Sequence, residues 1–256
     1  MMKPLGLFIK QDISLNEDLY NLVAGKRVTI VAPGAYLLGS DRGKVIDEYD
    51  VVIRPNEIVP PKEVRCDYGN RTDIMFCNFG TPWMPGIKRK IERSDNKEHF
   101  SNLKLVVATS IKSDHSELDY MSWPNDYVSN VVKNFNDVNE FNLPFYWIGV
   151  KDYKTLFSKV GVEFNTGMAA IMILLYYPIK ELFVSGFTFY MGGDKYEDLY
   201  YKGHMDEIDT KGKAFGFNAG HGAHANIKQI EYFKQLYNMK KGLLKTDDEM
   251  KNMLSL

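Results

Sequence analysis

Short apolar runs rich in β-branched residues recur along the chain, each broken by proline, glycine or asparagine. Residues 27–32 form the first, and Pro33-Gly34 makes a turn that cannot continue it. Residues 49–54 are the second, halted by Pro55. Residues 73–77, 103–109 and 145–149 supply three more. The apolar stretch 167–177 is longer and ends near Pro178, which predicts a buried helix, with a strand over 181–186 after it. Strands alternating with helices predict an α/β fold: a mostly parallel sheet with helices on both faces. Ligands of such sheets sit at the carboxyl ends of the strands, so the residues to inspect are Gly34, Asn56, Asn78 and Tyr190.

Residues 189–220 break the pattern. Gly192, Gly193, Gly203, Gly212, Gly216 and Gly220 are interleaved there with tyrosines and charges, which predicts a long lid-like loop. Periodicity returns over 225–239, where Ile227, Ile230, Phe233, Leu236 and Tyr237 predict one apolar face of a helix.

Length bounds the organisation: 256 residues suit one α/β domain or at most two small ones, and a single domain over 1–256 is expected. Charge narrows the partners. Lys and Arg number 32 against 33 Asp and Glu, so no overall field draws the protein to nucleic acid or to an anionic membrane. Residues 1–10 are too short and weakly apolar for a signal peptide or anchor, and no run has the length of a membrane span. Two cysteines, Cys66 and Cys77, make no disulfide framework and fit a reducing compartment, so the expected location is cytoplasmic. The 16 Tyr and 15 Phe suit a protein that packs rings around a base or a sugar, although most of them can simply fill the core.

Two local patterns carry chemistry. The turn at Gly34-Ala35 follows the first strand, and its backbone N–H groups can face a phosphate or serve only as a structural turn. Asn165-Thr166-Gly167 opens the apolar helix; Asn165 or Thr166 can be its N-cap, and the first amides of a helix start are free.

A third pattern is more specific. Residues 43–56 read G-K-V-I-D-E-Y-D-V-V-I-R-P-N, and residues 67–73 read D-Y-G-N-R-T-D. Together with the glycine turn and Gly39-Ser40 before them, they resemble the large donor-binding motif of animal-type sialyltransferases. Ser185-Gly186-Phe187-Thr188-Phe189-Tyr190, then Tyr196, then His224 before I-K-Q-I-E, resemble the C-terminal half of small bacterial sialyltransferases. The resemblance implies a Rossmann-like fold of the GT-A variant type and an inverting, metal-independent transferase. The donor it implies is CMP-sialic acid or a related CMP-activated acidic sugar such as Kdo, the acceptor a glycan hydroxyl, and no cofactor is implied. It assigns His224 as base and Tyr190 and Tyr196 as donors to the departing phosphate. Gly34, Ala35, Asn56, Asn78, Asn165, Thr166, Gly167, Gly186 and Phe187 become the CMP-sugar contacts. Homo-oligomers occur among the bacterial relatives, which leaves that state open for this chain.

The residue types suit that chemistry. Breaking a sugar–CMP bond develops negative charge on one phosphate, and neutral phenols stabilise it without a metal. A histidine titrating near neutrality can take the acceptor's proton. The chain has no Asp-x-Asp, the usual pair for a divalent ion on a nucleotide diphosphate, and His221/His224 is a weak alternative metal pair lacking a third ligand. Three positions depart from the pattern: Pro33 where an asparagine is usual, Glu163 where the bacterial type often has arginine, and Gln229 where a glutamate follows the histidine by five. They leave open a non-catalytic module that binds a nucleotide sugar or a glycan, and, less readily, a nucleotide-sugar hydrolase.

Overall fold

A computed structural model describes residues 12–56, 60–78, 101–110, 142–189 and 226–256. Seven strands occur there: β1 (Arg27–Val31), β2 (Val51–Pro55), β3 (Ile74–Asn78), β4 (Leu105–Ser110), β5 (Phe145–Trp147), β6 (Glu181–Ser185) and β7 (Leu244–Thr246). Their order in the sheet is β5-β4-β3-β2-β1-β6-β7, and every pairing is parallel. The predicted mostly parallel sheet is therefore wholly parallel among the described residues, which puts the carboxyl ends of all seven strands along one edge.

The strands read as near-continuous apolar runs because both faces are covered. On one face Val28, Ile30, Ile53, Ile74, Leu105, Val107, Leu182 and Val184 point into the main core. The other face packs Val31 and Val52 against Leu37, Ile46, Val64 and Tyr68, contributed by a turn at Ala35–Leu37 and by the short helices α2 (Gly43–Asp47) and α3 (Arg65–Tyr68). The main core is closed by α1 (Glu17–Val23), α4 (Val150–Val160), α5 (Thr166–Leu174), α6 (Asn226–Met239) and α7 (Asp248–Leu254). Helix α5 lies across β1 to β4 with all nine of its residues buried, which explains why its sequence is apolar all round.

Pro55 ends the second strand as expected, and is itself its last ladder residue, opposite Phe76. The last strand residue need only accept, and the next amide, that of Asn56, donates to the Phe76 carbonyl. Contrary to expectation, Ile227 does not belong to the buried stripe of α6; it is 68% exposed, and the first inward turn is taken by the carboxamide of Gln229, with Phe233 below it. The expected lid-like loop at 189–220 lies, apart from Phe189, outside the described residues.

Candidate active site

In a parallel sheet the natural crevice lies where the strand order reverses. Here the chain leaves β1 toward β2 and later returns to β6 on the opposite side of β1, so the crevice opens between β1 and β6. Gly34 and Gly186 sit just past these two strands, and the Gly34 N–H donates to the Gly186 carbonyl at 2.8 Å. A Cβ on Gly34 would lie 2.5 Å from that oxygen. Gly186 has φ +76°, and a Cβ there would lie 1.9 Å from the Ala32 carbonyl oxygen. Both positions require glycine, one for close approach and the other also for its backbone. The Gly34 amide is thus engaged within the fold. The first open amides of this turn belong to Ala35 and Tyr36, which have no partner inside a helical turn that begins there.

The same crevice continues into the start of α5. Asn165 is the N-cap: its side chain accepts the Met168 N–H at 2.8 Å, leaving the amides of Thr166 and Gly167 as the helix's leading donors. The positive end of the dipole lies here, with no acidic side chain in the first turn. A side chain at Gly167 would have to displace the buried Phe187 ring, which would lie 2.3 Å from its Cβ. On the other side, Gln229 of α6 accepts the Asn165 N–H at 3.0 Å. Gln229, which departs from the expected glutamate, keeps an acceptor at this place without a charge. Contacts thus run unbroken from Gly34 through Gly186, Phe187, Gly167 and Asn165 to α6. Phe189, the last described residue before Tyr190, is buried with φ +49°, a costly state for an aromatic residue, and is held between the rings of Phe187 and Phe233.

Most polar residues of the 43–73 stretch build the scaffold. Fully buried Arg54 donates to the Tyr68 carbonyl at 2.6 Å and to Thr72 Oγ1 at 3.0 Å. Asp47 receives the amides of Asn70 and Arg71, and Asp73 receives that of Val52 at 2.8 Å. Asp67 accepts the Asp41 N–H at 2.8 Å. Burial pushes its carboxyl up, but the amides of Gly39, Asp41 and Ser40 and the Cys66 thiol more than offset this, so its pKa falls below the ordinary value. Asp41, Cys66 and Asp67 are grouped within 4.8 Å, but they sit in this hydrogen-bonded loop. Tyr68 donates to the Gly34 carbonyl at 2.9 Å and so ties this unit to the crevice. Asn56 stands half-buried at the end of β2 with φ +59°, a left-handed state that asparagine tolerates.

The family model for glycosyltransferase family 29 (sialyltransferase) matches residues 24–231. The chain belongs to that family. No curated protein matches the sequence. Among solved structures, a mammalian sialyltransferase in complex with Gal-beta-1-3GalNAc-ortho-nitrophenol is similar, with a TM-score of 0.55 at 15% identity, covering 93% of this chain and 75% of that one. The sialyltransferase CstII from Campylobacter jejuni, in complex with the substrate analogue CMP-3FNeuAc, gives 0.55 at 14% identity, over 86% of this chain and 81% of that one. The monofunctional alpha-2,3-sialyltransferase Cst-I from Campylobacter jejuni gives 0.54 at 16% identity, over 89% and 78%. These likenesses establish the fold, Rossmann-like and of the sialyltransferase type.

Within this sialyltransferase-family fold, the structure brings Gly34, Ala35, Gly186, Phe187, Asn165, Thr166 and Gly167 to one crevice, and Asn56 to the same sheet edge. Asn78 ends β3 on that edge as well. Tyr190, Tyr196, His221 and His224 lie outside the described residues. Sequence reasoning missed Tyr36, whose hydroxyl accepts the Gly186 N–H at 2.6 Å, and Asp247, to which it donates at 2.9 Å. The one available signal was Asp247 preceding Asp248-Glu249, an N-cap pattern for a helix not expected there.

Proposed function

We propose that the protein transfers sialic acid, or a related acidic sugar such as Kdo, from its CMP ester to a glycan hydroxyl, acting as a single cytoplasmic domain. The observation that carries this reading is the crevice itself. Two glycines at the β1/β6 switch point face a buried helix start whose leading amides, on Thr166 and Gly167, are suited to an anionic nucleotide. Ala35 and Gly186 approach from the strand ends, Asn56 and Asn78 from the neighbouring strands, and Phe187 forms a wall. His224 takes the acceptor's proton, and attack from the face opposite the phosphate inverts the anomeric centre. Tyr190 and Tyr196 donate to the leaving phosphate, so no metal is required.

A second reading, a CMP-sugar or glycan-binding module without turnover, is favoured by one local fact. Pro33 offers neither an amide nor a polar side chain at the turn, and the next amide, that of Gly34, is engaged with Gly186. Titrating CMP in the presence of EDTA and then measuring CMP release from CMP-sialic acid and CMP-Kdo separates the two. Metal-free release that His224→Ala abolishes supports the transferase; CMP binding without release supports the CMP-sugar module; absence of CMP binding refutes both of these.

A further inference from the structure

The C-terminal segment after α6 hangs on the far side of β6. Strand β7 pairs with β6 in the register Leu182↔Leu244 and Val184↔Thr246, and Thr246 Oγ1 donates to the Val184 carbonyl at 2.7 Å. This register places the next residue, Asp247, level with the end of β6. Asp247 is the N-cap of α7: its Oδ1 accepts the Met250 N–H at 2.8 Å. Its Oδ2 accepts the Tyr36 hydroxyl at 2.9 Å, with Arg42 Nη1 at 3.6 Å. Arg42 also pairs with Glu249 at 3.0 Å. The Tyr36 oxygen in turn accepts the Gly186 N–H at 2.6 Å. A relay therefore runs from the strand-end glycine through a phenol to a buried carboxylate 211 residues from that phenol in sequence.

We infer that Tyr36 and Asp247 are positioning residues for the nucleotide crevice, through which the C-terminal β7–α7 unit fixes the Gly186 turn. The inference rests on the nucleotide reading of that crevice. It concerns a unit outside the family match, which ends at residue 231. Gly186 lies one residue past the last β1–β6 register pair, its carbonyl held by the Gly34 N–H and its amide by the Tyr36 hydroxyl, and its position decides where Phe187 meets Gly167. The phenol is held protonated: burial first, then the Asp247 carboxylate, push its pKa well up, so it keeps one proton to donate while accepting from the amide. Burial likewise pushes the Asp247 carboxyl up, partly offset by the Met250 amide, the phenol and Arg42.

The test uses the full chain as wild type, Tyr36→Phe, Asp247→Asn and the double variant. Two quantities are read: hydrogen exchange at the Gly186 and Ile30 amides, and the Kd for CMP. Tyr36→Phe removes one oxygen and leaves the ring, so its fold is retained. The expected result is exchange about 10-fold faster at Gly186 with Ile30 unchanged, and a CMP Kd raised about 3–10-fold in each single variant. The double variant should be no weaker than the worse single one, because both act through one relay. Unchanged Gly186 exchange, equal slowing or quickening at both amides, or additive losses in the double variant would overturn the inference. If wild type binds no CMP, the nucleotide reading and the positioning role both fall, and the exchange data alone still report whether the clamp exists.

Discussion

Gly34→Ala isolates a single contact. Gly34 has φ −61° and ψ 130°, a conformation open to alanine, so no backbone penalty attends the change. The new methyl would lie 2.5 Å from the Gly186 carbonyl oxygen and 2.9 Å from its carbon. Ordinary contact begins near 3.4 Å, so the ends of β1 and β6 must part by about 1 Å. Neither neighbour is a flexible side chain that can swing aside. That displacement breaks the 2.8 Å hydrogen bond between the two residues. Overpacking costs about 1–3 kcal/mol and the lost bond about 1 kcal/mol, together about 2–4 kcal/mol. At roughly 2–4 °C per kcal/mol for a chain of this size, the melting temperature should fall by about 5–15 °C. A shift of about 1 Å at a reacting centre also costs on the order of 100-fold in rate, so CMP release should drop by more than CMP binding does. Thermal melting and calorimetric CMP titration measure both. Gly149→Ala, where nothing lies within 4 Å of the new carbon, should cost under about 1 kcal/mol as a helix N-cap change. A Gly34→Ala protein that melts within ~1 °C of wild type and binds CMP equally well would refute the claim that these two backbones define the crevice.

Two further outcomes follow from the same geometry. Gln229→Ala leaves the Asn165 N–H without its acceptor and should weaken CMP binding about 5-fold, whereas Gln229→Glu keeps an acceptor and should retain binding, both read by titration. The depressed pKa of Asp67 means that the folded protein binds fewer protons there than the unfolded chain does. Its contribution is therefore complete above the ordinary value of 3.8 and is lost as pH falls through the lower folded value. Denaturant melts should show stability declining below about pH 4 in wild type and a flatter decline in Asp67→Asn.

The strands were legible because burial on both faces leaves long apolar runs, and all six expected strands appear within two residues of where the runs lie. Strand β7 was not, since Leu244-Lys245-Thr246 is three residues long at a sheet edge and carries a lysine that pairs with Glu181. At the site, the glycine turn and the helix start pointed to Gly34 and Gly167 and the resemblance to Gly186, and at all three the structure shows a local steric constraint. The polar spacing over 43–73 was readable as a pattern but not as a set of roles. A side chain that staples backbone, as Asp47 and Arg54 do, is fixed in sequence as firmly as one that meets a ligand. The Tyr36–Asp247 bond was out of reach altogether, because no periodicity joins a residue beside β1 to one at the end of the chain.

The pairing of β1 with β6 also has a consequence for how the protein comes into being. Arg27–Val31 lies in register with Glu181–Ser185, about 150 residues later, and closing so long a loop is entropically late. During synthesis the ribosome releases β1, β2 and β3 long before the partner that completes the crevice. Until then one edge of β1 is an open row of amides and carbonyls, the kind of edge on which chains join one another. Interruption anywhere before residue 186 therefore yields a product that lacks the β1/β6 crevice and carries a template for aggregation.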